Sequence, residues 1–95
     1  MLNGIKDFIK ESNEIIRIEN RKINELHKEI DNYETLVYIV GQTDSSEQVL
    51  YCREKINECY MKIDRCLEKI NNSRDRIATM RKVDKIIKRG GKCAW

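Results

Sequence analysis

The segment INECYMKIDRCLEKI (residues 56–70) spaces its apolar residues alternately three and four positions apart. Its three isoleucines occupy one heptad position, a, and its two cysteines occupy the companion position, d. This spacing gathers the five side chains into one stripe along an α-helix, which is the seam of a coiled coil. The pattern extends in both directions: the a positions are Val49, Ile56, Ile63, Ile70 and Ile77, and the d positions are Cys52, Cys59, Cys66, Ser73, Met80 and Ile87.

The first part of the chain carries the same alternation. Between the two patterns lies GQTDSSE (residues 41–47), which is rich in turn-forming and helix-capping residues. Gly41 is a natural helix terminator, so the first helix should end there. In the first pattern the a positions are Ile9, Ile16, Ile23, Ile30 and Val37, and the d positions are Ile5, Ser12, Glu19, Leu26, Tyr33 and Val40.

The second helix should begin at a capping box, formed either by Ser45 with Gln48 or by Asp44 with Glu47. The sequence therefore predicts an all-α fold: an antiparallel two-helix coiled-coil hairpin that completes a bundle by association. The predicted single domain covers residues 1–95, with helix 1 over about 4–40, a loop at 41–46, helix 2 over about 47–88 and a tail at 89–95.

The length of the loop also predicts how the helices align. Pairing Val40 with Val49 across the loop sets Ile30 against Cys59. A bulky β-branched residue then meets a small thiol, and such alternation of large and small side chains favours close packing.

Composition restricts the class of protein. Charged residues make up 37% of the 95 residues, apolar residues make up 40%, and proline is absent. Long solvated helices have this composition, and proline would interrupt them. No apolar run approaches the roughly 20 residues of a membrane-spanning helix, and residues 1–7 lack the regions of a signal peptide. We therefore expect a protein made in the cytoplasm, without a membrane span.

Catalytic patterns are missing from the sequence. There is no glycine-rich phosphate loop, no nucleophile with a histidine base and no pair of carboxylates in a plausible cleft. A slender hairpin also offers no concave pocket in which to bind a small substrate. The sequence therefore predicts neither an enzyme nor a cofactor site.

The cysteines are spaced for packing. Cys52, Cys59 and Cys66 are seven residues apart, hence about 10 Å apart along a helix, whereas a disulfide needs Cα atoms within about 7 Å. Closely spaced zinc ligands are missing, and His27 is the single histidine. We expect the three thiols to be buried as small apolar side chains. The alternative is a cross-link between chains, for which Cys93 in the tail is the candidate.

Polar residues interrupt the seam far from the loop. Ser12, Glu19, Ser73 and Asp84 occupy seam positions there. Such groups can fix the alignment of the helices or the choice of partner, or this half can open and be partly hydrated. Because Ile16 against Ser73 and a glutamate against an isoleucine make poor layers, the sequence favours an opened half.

Apolar residues also lie beside the seam. A widened apolar face on a two-helix unit predicts association with another helical protein or with a second copy. The alternative is that these residues only cover the edges of the seam. They include Tyr38 near the loop and Phe8, Ile15 and Ile18 in the first helix. The residues expected to bind the partner are Leu36, Ile39, Leu50, Tyr51, Tyr60, Asp64 and Leu67.

The end of the second helix is basic. It could contact nucleic-acid phosphates, or it could complement the helix macrodipole and the acidic residues Asp7, Glu11 and Glu14 of the first helix. The candidate nucleic-acid contacts are Arg74, Arg81, Lys82, Lys85, Lys88 and Arg89.

The segment CYMKIDRCLEKI (residues 59–70) resembles the second helix of the small helical-hairpin proteins of type VII (ESX-like) secretion. These include WXG-type proteins and the helical partners encoded beside LXG toxins. Many carry a Tyr-x-x-x-Asp/Glu export motif, whose spacing Tyr60 and Asp64 match. Gly41 stands at the family's Trp-x-Gly turn, with Ile39 in place of the tryptophan, and the motif here lies inside the second helix.

The resemblance implies a cytoplasmically made targeting or chaperone partner that docks on a helical toxin domain and is exported by the type VII route. Two other functions stay open from the residues alone. One is a basic, nucleic-acid-associated regulatory protein, and the other is a self-assembling structural coiled coil.

Overall fold

The computed structural model describes residues 2–42 and 46–89, with the side chains of residues 2 and 3 left aside. It contains two α-helices, α1 (Leu2–Val40) and α2 (Ser46–Lys88). They pack along each other as a hairpin whose principal extents are 75 × 20 × 13 Å. The predicted all-α hairpin is therefore confirmed. Both proposed capping boxes depend on residues 43–45, and these residues and the tail with Cys93 lie outside the described residues.

Helix α1 ends where the sequence predicts. The Gly41 amide donates a hydrogen bond to the Val37 carbonyl at 2.8 Å, and the Gln42 amide donates to the Ile39 carbonyl at 3.3 Å. A Cβ atom on Gly41 would lie 2.9 Å from the Val37 carbonyl oxygen. Because that distance is too short for a carbon against a backbone oxygen, the close approach at this turn requires glycine.

The seam nearest the loop is built from aliphatic side chains and thiols. Ile30, Cys59 and Ile63 are buried in one cluster, so the expected pairing of Ile30 with Cys59 is confirmed. Cys52 and Cys66 are also buried, as predicted for small apolar side chains in the seam. The half-buried residues packed against the cluster are Ile23, Leu26 and Ile56.

The seam remains closed in the half remote from the loop. Ser12, Glu19 and Ser73 are all buried, together with Ile5 and Ile77. The expectation that this half opens is therefore wrong. Small serines take little space between facing isoleucines, and cationic neighbours compensate the charge of Glu19, so the helices stay in contact.

The last turns of α2 leave the seam. Ile87 holds a seam position in the sequence but is 42% exposed. With Val40 against Val49, Ile87 lies level with Leu2, the first residue of α1. Asp84 is half-buried, and it accepts a salt bridge from Lys88 Nζ at 3.0 Å on its own helix.

Neither of the two described helices has a stretch that is long and apolar enough to cross a membrane.

Candidate partner-binding surfaces

The hairpin has two broad faces, one on each side of the seam. Since each residue turns an α-helix by about 100°, the residue before each seam residue lies on one face and the residue after it lies on the other. A groove of about 310 Å³ confirms this, because all its lining residues outside the seam precede a seam residue. They are Lys22, Glu25, Glu29, Lys62, Arg65 and Lys69. We call this side the Lys62 face and the opposite side the Tyr60 face.

The seven predicted partner-binding residues do not form one surface. Leu36 lies one heptad after Glu29, so it shares the Lys62 face. Tyr51 lies there too, because the centre of its ring is 5.5 Å from Nζ of Lys55, and Lys55 lies one heptad before Lys62. The prediction of a single apolar face is therefore wrong, because it grouped residues by distance from the loop and ignored their angle about the helix. Leu36, Ile39 and Tyr51 lie on the Lys62 face, and Leu50, Tyr60, Asp64 and Leu67 lie on the Tyr60 face.

The Tyr60 face carries an apolar row along α2. Leu50, Tyr60 and Leu67 are 59%, 47% and 44% exposed, and the row is about 25 Å long by the helical rise. Tyr38 of α1 is exposed on the same face at the loop end. Asp64 is exposed one turn after Tyr60. The uncharged exposed residues beside the row are Asn20, Asn24, His27, Asn57 and Asn71.

The Lys62 face has a charged middle and an apolar patch at each end. Leu36, Ile39 and Tyr51 form the patch near the loop. At the open end, where α1 begins and α2 finishes, Val83 and Ile86 are exposed. This second patch was not predicted from the sequence. The close spacing of Val83, Ile86 and Ile87 in the sequence could have indicated an apolar patch. The heptad pattern instead assigned Ile87 to the seam.

Glu19 is a buried carboxylate inside the seam. Glu19 is 4% exposed. Lys22 Nζ lies 3.1 Å from Glu19 Oε2, and Lys69 Nζ lies 3.9 Å from Glu19 Oε1. Within the described residues, Oε1 has no hydrogen-bond partner. Burial alone would raise the pKa of Glu19, but Lys22, the Cys66 thiol and Lys69 together lower it below its usual value.

Two of the buried thiols, Cys59 and Cys66, have pKa values raised above the usual value for cysteine. Burial raises the pKa of Cys59, and the nearby Glu29 carboxylate raises it further. The Cys59 thiol donates a hydrogen bond to Glu29 Oε2 at 3.4 Å. Burial likewise raises the pKa of Cys66, with Glu19 adding to it. Because the thiolate is the reactive form, this arrangement favours packing over nucleophilic chemistry.

A metal site would need several ligating side chains close together in the described parts of the chain. There, no group of three or more His, Cys, Asp or Glu side chains is placed to hold a metal ion. Cys52, Cys59 and Cys66 are all free thiols.

The basic end of α2 lies mainly on the Tyr60 face. Arg74, Arg81, Lys85 and Lys88 each follow a seam residue, and Lys82 and Arg89 lie at the outer edge of the helix. The predicted acidic complement is not formed across the hairpin. Glu14 instead forms an ion pair with Arg17 of its own helix, which lowers the pKa of Glu14. Among the described residues, neither Asp7 nor Glu11 forms an ion pair with α2.

Comparison with protein-family models, with curated proteins and with solved structures finds no match for this chain.

Proposed function

We propose that the chain is a non-catalytic interaction protein whose Tyr60 face docks on a second helical protein. The observation that carries the proposal is the exposed row of Leu50, Tyr60 and Leu67 on one face. A two-helix unit buries only one stripe, and its remaining apolar surface gains free energy when further helices cover it. Apolar anchors at the spacing of a helical face are what a helix-in-groove or bundle interface uses.

The partner is a different chain. The Tyr60 face becomes strongly basic at the open end, where Lys6 and Arg81 lie level with each other. A second copy laid parallel along this face would bring two basic ends together, which like-charge repulsion disfavours. A second copy laid antiparallel would set the basic end of each against the apolar row of the other. A heteromeric partner avoids both.

The specific role we propose is that of a targeting or chaperone partner for a helical toxin domain in type VII secretion. Tyr60 and Asp64, which match the export motif, are both exposed on the docking face and lie one turn apart. Both side chains are accessible in the hairpin alone. In the complex, a secretion receptor reaches them only where the partner leaves this turn of α2 uncovered. The protected thiols also support a binding role over a catalytic one.

The test of docking is co-expression with helical proteins encoded by the neighbouring genes, followed by light scattering and titration calorimetry. Leu67→Asp should weaken the complex at least about ten-fold, because it places a charge in a desolvated interface. Leu36→Asp is the matched control, since Leu36 and Leu67 are equally exposed at 44% and lie on opposite faces. The control should bind normally.

The same measurements separate the competing functions. A chain that stays monomeric and binds none of its neighbours would contradict the docking proposal. Large homo-oligomers formed without any partner would favour a self-assembling coiled coil.

The export role needs its own test. Asp64→Asn keeps the size of the side chain at an exposed position, so the hairpin should persist. Because Asp64 lies on the docking face, titration calorimetry first checks that the variant binds the partner with unchanged affinity. Secretion of the complex from the native host should be lost. Normal secretion of this variant would remove the export role and leave the docking proposal intact.

A further inference from the structure

The open end of the Tyr60 face carries positive charge from both helices. In α1, Lys6, Lys10 and Arg17 line one groove of about 420 Å³. They each follow a seam residue, as do four basic residues of α2, so all seven lie on the same face. We call this set the basic end: Lys6, Lys10, Arg17, Arg74, Arg81, Lys85 and Lys88.

Most of this charge is not compensated. Arg17 pairs with Glu14, and Lys88 pairs with Asp84. Among the described residues, no carboxylate lies within salt-bridge distance of the other five bases. All seven are exposed. Along α2 the set extends about 21 Å, and across the two helix axes it is about 8–10 Å wider than a single helix.

The residue composition of the basic end indicates which class of anionic ligand it binds. Protein–protein interfaces are depleted of lysine and enriched in arginine, whereas interfaces with nucleic acid are polar and strongly positive. The four lysines of the set therefore favour nucleic acid more than its three arginines do. An amphipathic membrane surface would need apolar side chains beside the bases. Val83 and Ile86 are at this end but lie on the Lys62 face, and the uncharged residues among the bases are Asn13 and Ala78.

We propose that the basic end is a binding site for the phosphate backbone of nucleic acid, formed jointly by α1 and α2. It contacts phosphates without reading bases, because among the described residues the basic side chains have only Asn13 and Ala78 as uncharged neighbours on this face and no aromatic side chain to stack on a base. The site goes beyond the docking function, and the apolar row nearer the loop stays available for a protein partner.

The test is fluorescence anisotropy of the full chain with a short labelled DNA duplex at about 50 mM and about 200 mM NaCl. About five phosphate contacts predict a slope of log K against log salt of roughly −4 to −5. Two double variants divide the site: Lys6→Gln with Lys10→Gln, and Arg81→Gln with Lys85→Gln. Each should reduce the steepness of the slope by about 2, since each neutralised phosphate contact removes about one unit.

A matched control carries the same loss of charge on the other face. Lys62→Gln with Arg65→Gln should keep the wild-type affinity within about two-fold and keep the slope. Glutamine is a good helix former, and circular dichroism checks that every variant keeps its helices. A poly-glutamate of equal charge, tested as a competitor, should bind much more weakly than the duplex.

Four results would overturn the proposal. No binding to DNA at the lower salt would remove the site. An equal loss in the Lys62-face control would reduce the effect to net charge. An unchanged slope in the α1 double variant would show that α1 contributes nothing. Tighter binding of poly-glutamate than of DNA would assign the surface to an acidic protein.

Discussion

The two halves of the seam differ in chemistry although they belong to the same pair of helices. Near the loop, isoleucines pack against thiols, as Ile30 does against Cys59. Toward the open end, buried positions hold Ser12, Glu19 and Ser73. Residues that are buried to the same extent therefore have different roles in the two halves of the seam. Aliphatic layers contribute most of the free energy of folding, whereas a buried carboxylate contributes little net stability and restricts how the helices can align.

The largest expected effect is in the loop half. Ile30→Ala should lower the free energy of unfolding by about 3 kcal/mol, because it removes buried methyl groups and leaves a cavity. Chemical denaturation followed by circular dichroism measures the change. Ile39→Ala, at an exposed site, is the control and should stay within about 0.5 kcal/mol. If the two variants were equally stable, the loop half would not be the main source of stability.

The open half should respond with the opposite sign. Glu19→Leu replaces a buried charge by an apolar side chain and should raise the free energy of unfolding by about 1 kcal/mol. The variant should also lose its single alignment and populate additional oligomers, which analytical ultracentrifugation would detect. Destabilisation, with one species retained, would mean that the Lys22–Glu19–Lys69 cluster stabilises the fold.

Acid should weaken the open half through the same residue. Because the folded-state pKa of Glu19 is lowered from its usual 4.5, the unfolded chain binds more protons in acid. This contribution to stability is therefore present above about pH 4.5 and is lost as the pH falls through the folded-state pKa. Its slope can reach at most about 1.4 kcal/mol per pH unit.

The acid effect can be separated from the exposed Glu14–Arg17 pair by salt. At about 1 M NaCl the Debye length is about 3 Å, so the exposed Glu14–Arg17 pair is screened more than the interactions of the Glu19 carboxylate. That carboxylate is buried, although Lys22 and Lys69 are 52% and 61% exposed. Unfolding measured under these conditions should show a shallower pH dependence in Glu19→Gln and an unchanged one in Glu14→Gln. The reverse outcome would place the acid sensitivity on the surface.

The smallest expected effect is at the first turn of α1. A Cβ on Gly4 would meet nothing within 4 Å, so Gly4→Ala should stabilise the open end by about 0.5–1 kcal/mol through the higher helix propensity of alanine. Thermal unfolding measures the gain. Gly41→Ala is the contrasting variant and should destabilise, since its Cβ would be crowded by the Val37 carbonyl.

Much of the fold could be predicted from the sequence because a heptad pattern fixes one stripe on each helix. The turn at Gly41 and the burial of Cys59 follow from spacing and loop length alone. The closure of the open half was not predicted. The pairing of Glu19 with Lys22 is an i,i+3 contact within α1 that the sequence contains, whereas the contact with Lys69 comes from the other helix and requires the folded hairpin.

The candidate surfaces were harder to predict than the seam. Sequence proximity to the loop grouped Leu36 with Leu50. Leu36 precedes a seam residue whereas Leu50 follows one, so the two side chains lie on opposite faces. The basic residues of α2 were visible in the sequence, but their alignment with Lys6 and Lys10 required the paired helices.

The single turn at Gly41 also has a consequence for the order of folding. Cys59 and Glu29 are 30 residues apart in the chain, and facing residues become more distant in sequence toward the termini. Because the entropic cost of closing a loop grows with its length, we expect α1 and α2 to associate first beside the turn and last at the open end. The basic end therefore forms last and separates first. A polyanion bound to both helices would stabilise their contact in the part of the hairpin that separates most readily.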